Sequence, residues 1–119
     1  MVDNPRFDIT KDDLSRFDGR GPAFVTFGEV MVRDTPADRE RPERTRLVHL
    51  SMAGSEYTLA MGLARLGIPA GFITRVPDNA YGRALRNTAR EQGVDTSHIV
   101  WAPKTEPIGR FIYEIGRTP

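Results

Sequence analysis

The chain has 119 residues, 39% hydrophobic and 28% charged, the composition of one ordinary globular domain rather than a disordered or membrane-embedded segment. Its 17 basic and 16 acidic residues give a formal charge of +1, so no clustered basic face is offered to nucleic acid, and no apolar run approaches the about 18–20 residues that cross a bilayer. Cysteine is absent and histidine occurs only at His49 and His98, in unrelated contexts, which excludes disulfides, thiol catalysis and Cys-ligated metal and gives a His-based metal site little support.

Residues 1–22 read as a polar extension, without sustained periodicity and closed by Gly19, Gly21 and Pro22. A short helix over residues 11–17 is allowed there, with Thr10 as its cap and Asp12 and Asp13 in its first turn. Mixed charge and the lack of an apolar core make this segment neither a secretory signal nor a transit peptide, which leaves the cytoplasm as the expected compartment. From Ala23 onward "AFVTFGEVMV" combines β-branched and aromatic residues and predicts a buried strand that ends or bends at Gly28 and Glu29. "RDTPADRERPER" reads as a solvated loop, because Pro36 and Pro42 exclude a helix interior and the charges alternate in sign. "TRLVHLSMAG" alternates polar and apolar and predicts a half-exposed strand.

A helix over residues 55–66 follows, with Ser55 as N-cap, Glu56 at the positive end of the helix dipole and Gly67 as the stop. Its apolar residues, among them Leu59, Ala60, Leu63 and Leu66, cover more than one stripe, so the helix should be largely buried. "AGFITRV", led in by Pro69, is the next strand. A second helix, capped by Asp78 or Asn79 and stopped by Gly93, places Ala80, Tyr81, Ala84, Leu85 and Thr88 on one packing face. "VDTSHIVWA" and "IGRFIYEIG" supply further strands. This order predicts an α/β fold with two right-handed crossovers and a partly parallel sheet, the two alternating strands lying in a sheet with one exposed face.

Neither G-x-x-x-x-G-K-[ST] nor G-x-G-x-x-G occurs, and G-x-S-x-G and H-E-x-x-H are missing as well, which disfavours P-loop, Rossmann and the corresponding hydrolase chemistries. The candidate site is the loop-to-helix junction at Gly54, Ser55 and Glu56, where a glycine admits a ligand to the backbone and first-turn amides can donate to its oxygens. On spacing alone the plainer reading takes precedence: Ser55 caps a helix and Gly54 turns the chain.

Four segments, "FGEVMV", "AGSEYTLAMGLARLG", "RVPDNAYGRALRNTAREQGVDTSHI" and "PIGRFIYEIG", shift that balance. In this order they resemble the N-terminal region of the ribokinase-like (PfkB) carbohydrate kinases, and within them the 2-keto-3-deoxygluconate kinases. The resemblance covers residues 23–119 and implies a ribokinase-like α/β fold in which the two alternating strands belong to a small β lid over the sugar. It implies sugar contacts by Gly54, with Ser55 and Glu56 beside it. Thr58 stands where the family usually has Asn, and a hydroxyl cannot reproduce an amide's paired donor and acceptor. Phe111 stands where these kinases tend to carry Tyr; Tyr113, two residues on, should share its face and could replace the hydroxyl. Pro77 replaces a glycine of the family's turn, while Asp78 is kept.

Such kinases move the γ-phosphoryl group of ATP to a sugar hydroxyl, with Mg²⁺ and a helix N-terminus stabilising the phosphates and an aspartate taking the proton. That aspartate belongs to a G-A-G-D motif of the family's C-terminal half, which this sequence does not contain. Asp34 and Asp78 read instead as loop and cap residues. The expectation is therefore the substrate-binding N-terminal portion of a sugar or sugar-acid kinase, ending before the nucleotide-binding half and inactive alone. ATP and Mg²⁺ would serve the complete kinase, and no catalytic, cofactor or metal residue is assigned in this chain. 2-Keto-3-deoxygluconate is the expected substrate, with fructose or another ketose as the alternative, and a homodimer could form through the lid strands. The competing expectation is a non-catalytic sugar-binding or interaction module.

Overall fold

The apolar run that begins at Ala23 divides into two strands belonging to different sheets. In the computed structural model, which describes residues 21–116, β1 (Phe24–Phe27) ends at Gly28 and β2 (Met31–Pro36) starts after Val30. The expected break at Gly28 and Glu29 is therefore a strand end. The expected helix over residues 11–17 lies outside the described residues, as does most of the polar extension.

β1 pairs in parallel with β4 (Ala70–Ile73), from Phe24 opposite Ala70 to Phe27 opposite Ile73. Thr74 carries β4 on into β5 (Arg75–Pro77), which pairs in parallel with β6 (Val100–Ala102). Gly71 also bridges Asp95, and the amide of Val100 donates to the carbonyl of Thr74, so the row over 70–77 has β1 along one edge and 95–102 along the other. Between these strands run α1 (Ser55–Arg65) and α2 (Ala80–Glu91), giving two parallel β–α–β connections, as expected. A second, three-stranded sheet is ordered β3–β2–β7: β3 (Val48–Ala53) is antiparallel to β2, and β7 (Arg110–Ile112) is parallel to it.

The core lies between the helices and the row over 70–77. Tyr57 and Ala60 of α1, Phe72 and Val76 of the strands, and Leu85 and Ala89 of α2 are essentially excluded from solvent. Each of the large ones contributes about 1.5–3 kcal/mol by burial. The Tyr57 and Phe72 rings meet at 5.6 Å with a 59° tilt, and the Tyr57 hydroxyl donates to the carbonyl of Leu85 at 3.3 Å.

Local signals set the helix ends. Asn79 Oδ1 accepts from the amides of Tyr81 (3.0 Å) and Gly82 (3.2 Å) and so caps α2, while Asp78 reaches Arg83 instead at 2.9 Å. Gly67 and Gly93, at φ +81° and +85°, take the left-handed conformation that ends each helix, as expected. Ser55, expected as the cap of α1, is its first helical residue; Gly54 holds the cap position and no side chain caps the helix.

Three further expectations are corrected. The stripe that α2 buries is Gly82, Leu85 and Ala89, not the face carrying Ala80, Ala84 and Thr88, which is exposed. A Cβ at position 82 would run into the carbonyl of Pro77, so the helix seats where glycine permits the closest backbone approach. α1 is not largely buried: Tyr57 and Ala60 alone are, and Leu59 and Leu66 stand 49% and 79% exposed, because no described element packs on that side. "RDTP", read as the start of a loop, is the second half of β2, paired residue by residue with β3 up to Pro36 opposite Val48. The solvated segment begins only at Ala37, with a single 3-10 turn (Ala37–Arg39).

Candidate functional site

Alternation along β2 divides its side chains between two faces: Met31, Arg33 and Thr35 on one, Val32, Asp34 and Pro36 on the other. Register places Met31 opposite Ala53, and Arg33 opposite both Ser51 and Phe111. This first face, at the point where β3 hands over to α1, forms the wall of an open cleft of about 550 Å³. Glu29, Met31, Ala53, Gly54, Ser55, Glu56, Thr58 and Phe111 line it.

The junction is fixed by backbone contacts. Gly54 has extended backbone, which any residue could adopt, but a Cβ there would overlap the carbonyl of Glu29. Glycine at 54 thus lets the N-terminus of α1 sit directly against the connection between β1 and β2, at Glu29 and Val30. The hydroxyl of Thr26 donates to the carbonyl of Glu56 at 2.9 Å, and the Glu56 carboxylate lies over Gly28, where an added Cβ would stand 2.5 Å from Oε2. The cleft therefore combines first-turn amides that no side chain caps, the hydroxyls of Ser55 and Thr58, two carboxylates and an apolar floor of Met31, Ala53 and Phe111. A small polyhydroxylated molecule suits that set: carboxylates accept from its hydroxyls, amides donate to its oxygens, and the aromatic ring covers its apolar face.

Of the residues singled out in the sequence, Gly54, Ser55, Glu56, Thr58 and Phe111 come together in this cleft, and Tyr113 does not. Tyr113 lies beyond it, its ring 5.6 Å below the guanidinium carbon of Arg33. Glu29, Met31 and Ala53 were missed. The signal for Met31 and Ala53 was cross-strand register, which a single sequence does not display.

On the opposite face of the lid sheet, Arg110 reaches α2 at Tyr81, and Val48, Leu50 and Ile112 of that face stay exposed. Arg110 donates to both carboxylate oxygens of Asp34 and, at 3.3 Å, to the Tyr81 hydroxyl, with its guanidinium carbon 5.5 Å from the Tyr81 ring centre. Hydrogen bonding to Asp34, then to Tyr81, raises the Arg110 pKa above its ordinary value. Asp34, read from the sequence as a loop residue, is thus a nearly buried strand residue neutralised by an arginine. Asp78, read as a cap, is an exposed partner of Arg83. A second concavity, about 580 Å³, lies apart from the cleft between the loop over 39–44 and residues 114–116, lined by exposed charges of both signs.

A parallel α/β layer carrying a small lid sheet over a helix N-terminus is the arrangement of the ribokinase-like fold. Residues 23–118 match the family model for the pfkB family carbohydrate kinases. The chain belongs to that family. It is 35% identical over 96 residues to 2-dehydro-3-deoxygalactonokinase of Haloferax volcanii, covering 81% of this chain and 30% of that protein. It is 33% identical over 108 residues to 5-dehydro-2-deoxygluconokinase of Clostridium perfringens, covering 90% and 30%. Among solved structures, 2-dehydro-3-deoxygluconokinase of Thermotoga maritima superposes with a TM-score of 0.75 at 36% identity, over 79% of this chain and 28% of that one. The chain spans about 30% of the length of the curated relatives it matches.

Proposed function

We propose that this chain supplies the sugar-contacting part of an ATP-dependent kinase that phosphorylates a hydroxyl of 2-keto-3-deoxygluconate or a closely related sugar acid. The kinase part would comprise residues 23–119, with residues 1–22 as an extension. The observation that carries the reading is the cleft where the N-terminus of α1 meets β2 and β7, lined by Gly54, Ser55, Glu56, Thr58 and Phe111. The relatives named as kinases of dehydro-deoxy sugar acids support the substrate class.

In this reading the amides at Gly54 and Ser55 and the carboxylate of Glu56 hold sugar hydroxyls, Thr58 adds one further hydroxyl contact, and Phe111 packs on the carbon chain. Tyr113 stands further along the same lid face. The contribution of these groups is to orient the acceptor hydroxyl and to keep water from its apolar side. Among the described residues no group of three or more His, Asp or Glu gathers to hold a metal. In this reading ATP and Mg²⁺ would serve the complete kinase, and no residue of this chain is assigned to them or as the base. The chain by itself should bind the sugar acid and not phosphorylate it.

Calorimetry of the chain with 2-keto-3-deoxygluconate, 2-keto-3-deoxygalactonate, 5-keto-2-deoxygluconate and fructose tests this. Saturable heat with at least one sugar acid, and no sugar-dependent ADP release from ATP, is expected. No heat with any of the acids would overturn the binding role, and sugar-dependent ADP release would overturn the inactivity.

A second reading, association through the lid, is favoured by Val48, Leu50 and Ile112. These stand 41%, 47% and 58% exposed, and register places them on one face of the lid sheet. A homodimer through this face should appear by light scattering and be lost in Leu50→Asp; a monomer at all concentrations would exclude it.

A further inference from the structure

The lining of the cleft contains two carboxylates, Glu29 and Glu56, and no cation. A hydroxylated chain can donate to those carboxylates, but an anionic group placed beside them would be repelled. If the substrate is a sugar acid, Glu29 and Glu56 oppose the pull of the α1 amides on its carboxylate and favour a place for it nearer a cation.

We propose that Arg33 recognises that carboxylate; the inference rests on the sugar-acid reading above. Met31 lines the cleft, and Arg33 is the next residue on the same face of β2, about 6.6–6.8 Å further along the strand. Its register partner on β7 is Phe111, which also lines the cleft. That step is no longer than a six-carbon sugar acid, so a molecule seated against Met31 and Phe111 can extend along this face of β2 toward Arg33.

The state of the Arg33 side chain points the same way. Its Nε donates to Ser51 Oγ at 3.0 Å and its guanidinium lies over the Tyr113 ring. These contacts hold the planar group in place and use one of its five N–H donors. Arg75, Arg83 and Arg110 each have a carboxylate partner, in Glu106, Asp78 and Asp34. Arg33, partly buried, has none among the described residues. A partly desolvated guanidinium with its Nη edge free is matched in shape and charge by an incoming carboxylate, which it can take bidentately. Tyr113 then acts through Arg33, by positioning it, and not through a sugar contact of its own.

The test compares wild-type chain, Arg33→Gln and Arg33→Lys by calorimetry with 2-keto-3-deoxygluconate and with fructose at low and high salt, with circular dichroism to verify folding. Arg33→Gln should weaken sugar-acid binding about 10–100-fold, the range expected for losing hydrogen bonds to a charged group. It should also abolish the salt dependence, leave any fructose binding unchanged, and be partly rescued in Arg33→Lys. Wild-type affinity for the acid in folded Arg33→Gln would overturn the role of Arg33 and leave the sugar-acid reading standing. Equal loss for both sugars would overturn it as well, since damage to the lid would then suffice. No sugar-acid binding by wild-type chain would overturn both.

Discussion

The guanidinium of Arg110 closes on both carboxylate oxygens of Asp34 across the parallel β2–β7 pair, with Nη2 at 2.9 Å from Oδ1 and 2.7 Å from Oδ2. The two residues are 76 positions apart, and Tyr81 of α2 completes the contact. The pair therefore does more than join two strands: it holds the Arg110 guanidinium against Tyr81 of α2. Its two partners are unequally solvated, with the Asp34 side chain 13% exposed and that of Arg110 45%.

That inequality predicts an order of stability. Arg110→Met leaves a nearly buried carboxylate unpaired, whereas Asp34→Asn leaves a cation that water can solvate. Arg110→Met should unfold at the lower urea concentration; coincident midpoints would show that Asp34 is solvated when unpaired.

Gly54 in the cleft and Gly28 beneath the Glu56 side chain should respond differently to alanine. At Gly54 the new methyl meets the backbone of Glu29, which cannot move without shifting β2, so a cost of about 1–3 kcal/mol and loss of sugar binding are expected. At Gly28 it meets the end of the Glu56 side chain, which can swing aside, so stability should fall less while sugar affinity changes. Urea denaturation and calorimetry on the two variants separate these outcomes.

Asn79→Ala removes the oxygen that accepts from Tyr81 and Gly82 and should cost about 1 kcal/mol. Asp78→Ala removes only an exposed ion pair with Arg83, worth about 0–0.5 kcal/mol. Thermal denaturation of both variants would identify the cap, and an Asp78→Ala loss as large as that of Asn79→Ala would contradict the assignment.

Burial raises the Tyr57 phenol above its ordinary value of 10.0, since the neutral form is favoured inside the core. A raised folded value means that this contribution is fully present below pH 10.0 and is lost as pH rises through the folded value. Asp95 runs the other way: hydrogen bonds from Ser97 lower it, so its contribution is present above 3.8 and lost as pH falls through the folded value. Tyr57→Phe should cost about 0.5–1.5 kcal/mol at neutral pH through the lost bond to Leu85. It should also flatten the alkaline limb of a urea-midpoint profile, and an unchanged limb would place the titration elsewhere.

The order of elements, the helix stops at Gly67 and Gly93, and the family were legible in the sequence because each is written in neighbouring residues or in short motifs. Five of the six residues expected to touch substrate do share one cleft, since the loop-to-helix junction is itself a local feature. Ser55 as cap was a reasonable local inference that failed for a tertiary reason: Gly54 takes the cap position, packed against the Glu29 carbonyl.

What only the tertiary structure decided is which residues face which neighbour. Arg33 and Asp34 sit in a charged, proline-bearing segment that by composition reads as loop. They are strand residues because distant chain supplies their backbone ladder, Ser51 and Leu50 of β3 on one side and Phe111 and Ile112 of β7 on the other. The sequence by itself determined that a helix mouth with Gly54, Ser55 and Glu56 would exist. Folding decided that β2 would turn Met31 toward that mouth, with Arg33 on the same face and Asp34 on the other, because alternation acts only once a strand's register is set by distant chain.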